Sequence, residues 1–187
     1  MIVRRFLVVA LLAATAAGIG AWIVTAQPPW YLRLRYPLRY QAIVEGHAHN
    51  YRLDPALLAA VIFTESKFHA DARSDSGAVG LMQLLPDTAK GIAVHTGGSK
   101  FRVADLTNPE INVRYGSWYL RHLLDKYGDE PTALAAYNAG QENVDRWRSD
   151  GEGIPFSETR HYVARVEHLK VLYRKAYPSQ LRAAGGG

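Results

Sequence analysis

The chain contains no cysteine. That excludes a disulfide framework, a thiol nucleophile and any thiolate metal site, and it selects no compartment. Its 187 residues carry 22 Lys and Arg against 17 Asp and Glu, a formal net charge of +5. A basic surface favours acidic partners such as anionic lipid or an anionic cell-wall polymer. The cations are scattered, however, without the clustering of a nucleic-acid footprint, so no nucleic-acid partner is expected. Internal repeats are absent, and no stretch shows sustained strand alternation. The seven histidines are dispersed, and no tight His/Asp/Glu spacing suggests a metal site. The length suits one domain with a real core and is too short for two.

A second absence is local. From Phe6 to Ala26 the chain holds no charge, in the run FLVVALLAATAAGIGAWIVTA. As a helix these residues would span roughly 31 Å, close to the hydrocarbon thickness of a bilayer. A cleaved signal peptide is one reading, with Val24-Thr25-Ala26 passable as its cleavage site. An uncleaved anchor is the other, with Trp22, Trp30 and Tyr31 near the outer interface. The apolar run exceeds the usual signal h-region, which favours the anchor. Arg4 and Arg5 precede the run, while Arg33, Arg35 and Arg39 follow it, so charge leaves the orientation ambiguous. The very short head favours an inside N-terminus with the bulk of the chain outside.

Beyond the connector QPPWYLRLRYPL, whose prolines stop the membrane helix, the signals are helical almost throughout. Tyr40 to Tyr51 reads as a helix. Asp54-Pro55 and Asn108-Pro109 are N-caps followed by proline at the first helical position. Pro86 and Pro131 open two more helices, and Gly128 and Gly140 close helices. Gln141 to Arg148 is short, and Ser157 starts a last helix ended by Pro178. Asp71 to Gly80 is loop, with at most a small β element near Arg73 to Leu85. The expected fold is mainly α, with six or seven helices in the domain.

In the helix opened by Asp54, residues Leu57, Leu58, Val61, Ile62 and Phe68 mark an apolar stripe. Glu65 lies four residues after Val61 and seven after Leu58, so it stands on or beside that stripe. A carboxylate there is either tied to a neighbouring helix by a salt bridge or kept protonated by burial. A carboxylic acid that holds its proton near neutral pH can act as a general acid. After Glu65-Ser66 comes a loop with Ser74, Asp75, Ser76, Gly77 and Gly80, then Met82 and Gln83. Gln83 can donate to and accept from acetamido and hydroxyl groups; the spacing of Met82 on its own favours core packing over a groove wall. The segment AAYNAG sets Tyr137 and Asn138 at a helix end, and PFSETRHYVARV adds Glu158, Arg160 and Tyr162.

Four segments, ESKFHADARSDSGAVGLMQLLPDTA, NPEINVRYGSWYL, ALAAYNAG and IPFSETRHYVARV, occur in this order across about residues 50 to 170. Together they resemble the catalytic domain of soluble-type lytic transglycosylases, relatives of goose-type lysozyme in the lysozyme-like superfamily. The connector RLRYPLRY is similar to that of short, membrane-anchored members. The resemblance implies a lysozyme-like α-helical domain preceded by one transmembrane helix. It implies Glu65 as the single catalytic acid. Ser74 would lie near that acid and the N-acetyl group. Met82 and Gln83 would contact the sugar chain in the groove, Tyr137 and Asn138 would form the floor, and the Tyr162 hydroxyl would approach Glu65. It implies no cofactor and no metal.

The expected organisation is a basic head at 1–5, an anchor or signal segment at 6–26 and a juxtamembrane linker at 27–38. A catalytic domain at 39–178 and a flexible tail at 179–187 complete it. The expected activity is cleavage of peptidoglycan at the MurNAc-β-1,4-GlcNAc bond without water, leaving 1,6-anhydro-MurNAc ends. The resemblance points to a substrate-assisted mechanism, an exception to the two-carboxylate rule. Two alternatives stand: a goose-type muramidase, with Asp71 or Asp75 holding a water, and a non-catalytic peptidoglycan-binding component of the envelope. The expected partners are glycan strands and the membrane, the expected state is a monomer, and the expected place is the bacterial cell envelope.

Overall fold

The computed structural model describes residues 2–98 and 100–181. Met1 of the expected head and residues 182–187 of the expected tail lie outside them. The elements in order are α1 (Ile2–Ala26), α2 (Pro29–Arg35), α3 (Gln41–Asn50), α4 (Pro55–Ser66), α5 (Pro86–His95), a 3-10 turn (Val103–Thr107), α6 (Pro109–Tyr127), α7 (Glu130–Ala139), α8 (Gln141–Ser149) and α9 (Ser157–Ala176). Among the described residues no β-strand forms. The expected β element is reduced to two isolated bridges, Arg73 with Val79 and Val79 with Leu84.

The helix starts follow local chemistry. The Asp54 carboxylate accepts from the Ala56 amide at 2.9 Å, and the Asn108 side chain accepts from Glu110 and Ile111. Asp129 accepts from Thr132 in the same way and opens α7 one residue before Pro131. Each cap satisfies amides that have no partner inside the helix. Gly128, at φ +78°, turns the chain out of α6 in the left-handed region that glycine tolerates. Two of these starts converge. Lys170 of α9 bridges Glu130 at 2.6 Å and Asp54 at 3.6 Å, and Arg174 also pairs with Asp54. The N-termini of α4 and α7 are thereby tied to one face of α9.

Helix α4 is the centre of the fold. It is not a stripe: every residue from Pro55 to Phe63 is buried. An all-round apolar helix belongs inside a protein. Helix α9 packs along α4 and α7, α3 touches α4 and α6, and α6 pairs with α7. Each large side chain of α4 stabilises the fold by about 2 kcal/mol on burial. A second, smaller core gathers Val79, Leu84, Ala89, Ile92, Leu106 and Tyr115 between α5, α6 and the loop before α5.

The connector differs from expectation. Residues 29–35 form helix α2, and Leu32 is fully buried in the main core. Arg33 Nε donates to the Ala176 carbonyl at 2.7 Å, the Leu38 amide donates to the Tyr177 hydroxyl, and that hydroxyl donates to the Tyr36 carbonyl. The prolines that end α1 also start α2, because a proline at the first helical position forfeits no hydrogen bond. The expected tail likewise begins inside the core, where Leu181 is buried. Among the described residues, helix α1 touches the domain only near its end, where Ile23 and Ala26 are partly covered and Lys175 donates to the Ala26 carbonyl; no residue of its apolar window Val9–Ala26 is fully buried.

Candidate active site

Glu65 is the penultimate residue of α4, at the point where the helix leaves the core. Straight after Ser66, Lys67 and Phe68 both adopt positive φ, at 52° and 63°. Non-glycine residues pay for that conformation, and strain of this kind gathers at functional sites. Here it turns the chain sharply away from Glu65. Ser66 Oγ donates to the Leu81 carbonyl at 2.8 Å and ties the helix end to the loop that follows.

That loop is pinned from three sides. The buried Asn112 of α6 accepts from the Met82 amide at 2.7 Å and donates to the carbonyls of Val79 and Leu106. The Tyr137 hydroxyl donates to the Met82 carbonyl at 2.8 Å. Gln83, held at φ 47°, donates from its amide to the carbonyls of Gly80 and Ala72. An amide has two N–H donors, so Gln83 offers a ligand its oxygen as an acceptor.

Between the α4 end, this loop, α7 and the start of α9 lies a cleft of about 370 Å³. Glu65, Ser74, Gln83, Tyr137 and Asn138 all line it. Ser74 is exposed; its hydroxyl accepts from the Ala78 amide and shares a 2.8 Å hydrogen bond with Ser76. Tyr162 stands behind Glu65 rather than on the cleft wall, buried, with its hydroxyl donating to Glu65 Oε1 at 2.6 Å. Met82 departs from expectation. Its side chain is fully buried and lies on Gly116 of α6, where no Cβ would fit. The bare backbone of Gly116 makes the seat that draws the thioether inward, so Met82 contributes its backbone and not a groove wall.

Four further polar or aromatic side chains line the cleft: Thr88 and Tyr119, which the sequence did not point to, and Ser76 and Glu158, which it named without assigning them a role there. The ring of Tyr119 lies 5.5 Å from that of Tyr137, centroid to centroid, and the pair forms an aromatic wall. Glu158, exposed in the first turn of α9, is a second carboxylate on the cleft. Asp71 and Asp75 are exposed and do not line it.

Burial pushes the Glu65 carboxyl up and the Tyr162 hydrogen bond opposes it; burial is the larger effect, and the carboxyl lies at about 7. Among the described residues Glu65 makes no salt bridge. The structural reading in which Glu65 merely joins two helices through an ion pair is thus set aside. Tyr137 and Tyr162 are raised well above the usual phenol range, chiefly by burial and then by the charge of Glu65. Both remain hydroxyl donors at any physiological pH. No three His, Asp or Glu side chains among the described residues gather closely enough to hold a metal ion. The arrangement therefore offers a buried acid–base group, Glu65, and an exposed carboxylate, Glu158, on a cleft with amide, hydroxyl and aromatic walls.

Residues 43–156 match the family profile described as Transglycosylase SLT domain. The chain is 32% identical over 161 residues to the soluble lytic murein transglycosylase of Salmonella typhimurium, covering 77% of this chain and 24% of that protein. It is 34% identical over 149 residues to the transglycosylase of Enterobacteria phage PRD1, covering 79% and 49%. The fold superposes on an inactive Glu-to-Gln mutant of the lytic transglycosylase Slt from Pseudomonas aeruginosa with a TM-score of 0.74 and 35% identity, over 84% of this chain and 27% of that one. The chain thus spans about a quarter of the length of the soluble bacterial relatives it matches. The helical, lysozyme-like architecture expected from the sequence is the one it shares with these neighbours. The chain belongs to the Transglycosylase SLT domain family.

Proposed function

We propose that this protein is a peptidoglycan lytic transglycosylase in which Glu65 acts first as acid and then as base. The observation that carries the reading is the Glu65 carboxyl, held near pH 7 by burial at the floor of the cleft and without a salt-bridge partner. Protonated Glu65 donates to the bridging oxygen of a MurNAc-β-1,4-GlcNAc bond. The substrate's own acetamido carbonyl stabilises the cation that develops at the muramyl C1. Ionised Glu65 then takes the proton of the muramyl C6 hydroxyl, whose oxygen closes on C1 as the 1,6-anhydro ring. A group with a pKa near the working pH serves both steps. The Tyr162 hydroxyl stabilises the carboxylate that exists between them.

Tyr137 with Tyr119 supplies a flat apolar wall for a sugar ring, and Gln83, Ser74 and Asn138 supply polar contacts for acetamido and hydroxyl groups. The substrate class, peptidoglycan strands, rests on these walls and on the relatives' names. Helix α1 would anchor the protein in the cytoplasmic membrane with the cleft outside; similarity to membrane-bound lytic murein transglycosylase F of Desulfosudis oleivorans supports an envelope location.

One observation favours a second reading. Glu158 gives the cleft another carboxylate, which could hold a water and make the enzyme a muramidase. The test is mass spectrometry of purified peptidoglycan digested by the full chain in detergent, with Glu65→Gln as control. Anhydro-muramyl ends that vanish with Glu65→Gln are the expected result. Hydrated reducing ends that vanish with Glu158→Gln would replace the proposal with the hydrolase.

A further inference from the structure

Helix α2 carries two side chains that the domain does not use. Trp30 and Leu34 are 56% and 79% exposed, although Leu32 between them is fully buried. Residues four apart share a helix face, so Trp30 and Leu34 point together away from the face that Leu32 docks onto α9. Cations are near them. Arg33 and Arg35 are on the same helix, Arg39 follows, and two of the cations, Arg33 and Lys175 of α9, are held to the Ala176 and Ala26 carbonyls, each at 2.7 Å. From Gln27 to Val44 the sequence has three arginines and no acid.

The place of this face in the fold says what covers it. Only Gln27 and Pro28 separate α2 from the last turn of α1, the helix with the length and apolarity to cross a bilayer. Trp22 stands exposed near the end of that helix. An exposed aromatic and leucine in a segment that carries three arginines and no acid suit a surface that settles among lipid headgroups, where the ring sits at the boundary and cations meet phosphate.

We infer that α2 lies in the headgroup layer of an anionic phospholipid membrane and is the foot on which the catalytic domain stands. This rests on the reading of α1 as a membrane anchor. The foot is not a tether. Leu32, the Arg33 bond to Ala176 and the Tyr177 bonds fix α2 to the C-terminal end of α9. Tyr162 and the cleft are at the other end of the same helix, about 21 Å away along its axis. The protein therefore presents its cleft at a fixed distance from the foot and works on glycan close to the membrane.

The absence of cysteine makes the test clean. Leu12→Cys in α1, Leu34→Cys in α2 and Val94→Cys in α5 would each carry a nitroxide on the full chain. The chains would be placed in vesicles of phosphatidylcholine with phosphatidylglycerol. Collision with oxygen, which enters lipid, is compared with collision with a nickel chelate, which does not. The inference expects the oxygen-to-nickel ratio at Leu34 to exceed that at the exposed Val94 severalfold, and to lie below that at Leu12. A Leu34 ratio equal to that at Val94, with Leu12 in lipid, would overturn the foot and leave the anchor intact. A Leu12 label in water would overturn the anchor and the foot with it.

Discussion

Tyr162 donates a 2.6 Å hydrogen bond to Oε1 of Glu65, joining the second turn of α9 to the end of α4 across 97 residues of chain. The bond favours the carboxylate, while burial favours the acid. Burial is the larger effect, and the carboxyl rests at about 7. Tyr162→Phe removes the opposing bond. The Glu65 pKa then rises further, and the alkaline limb of the pH–rate profile moves to higher pH. Loss of a hydrogen bond to a charged group also lowers kcat roughly 10- to 100-fold. An unchanged profile would separate Tyr162 from the acid–base step.

Glu65 also weakens the fold that holds it. Its folded pKa of about 7 lies above the ordinary 4.5, so the unfolded chain releases this proton first. Below about pH 4.5 the group makes no difference to stability. As pH rises from 4.5 through 7, the folded state loses up to about 3 kcal/mol relative to a non-titrating side chain. Glu65→Gln is therefore expected to raise the melting temperature at pH 8 and to bring much less gain at pH 4. A gain that does not change with pH would contradict the burial of the charge.

The helix starts were legible because their signals are local: Asp54-Pro55, Asn108-Pro109 and Pro86 each act within one turn. Glu65 was legible from its spacing to Val61 and Leu58. Helix α2 was not, since seven residues bounded by prolines are held by the burial of Leu32 and by bonds to the end of α9, such as that of Arg33 to Ala176, 143 residues away. Met82 was misplaced for a similar reason. Whether a side chain in a tight turn faces the cleft or the core depends on its seat, here Gly116 of α6, which no local pattern reveals. Glu158 was named with Arg160 and Tyr162 at the start of the last helix but given no role, since only the approach of α9 to the cleft gives it a place there.

Asn112 organises the loop that carries Gln83. Its side chain makes three hydrogen bonds to the Met82 amide and to the Val79 and Leu106 carbonyls, all in buried surroundings. Asn112→Ala leaves those groups without partners, at a cost of about 2–4 kcal/mol. Thermal unfolding should show the loss. Activity at temperatures where the variant is still folded should fall as well, through a raised KM, because Gln83 is no longer held. Wild-type stability in this variant would show that the loop holds itself.

Gly80 sits at φ +86°, directly against the Asn112 side chain and the Leu106 carbonyl. A Cβ would strike both, and the backbone angle suits glycine alone. Gly80→Ala should cost at least as much as Asn112→Ala. Combining the two should cost less than their sum, because both act on one contact. Strict additivity in a double-mutant cycle would argue that they act separately.

The most direct test is the titration of Glu65 itself. The full chain, labelled with carboxyl carbon-13 glutamate in detergent, is followed by NMR from pH 3 to 10, with Glu65→Gln identifying the resonance. A midpoint near 7 is expected, displaced upward in Tyr162→Phe. A midpoint near 4.5 would mean that Glu65 is ionised at neutral pH and cannot be the acid that opens the reaction.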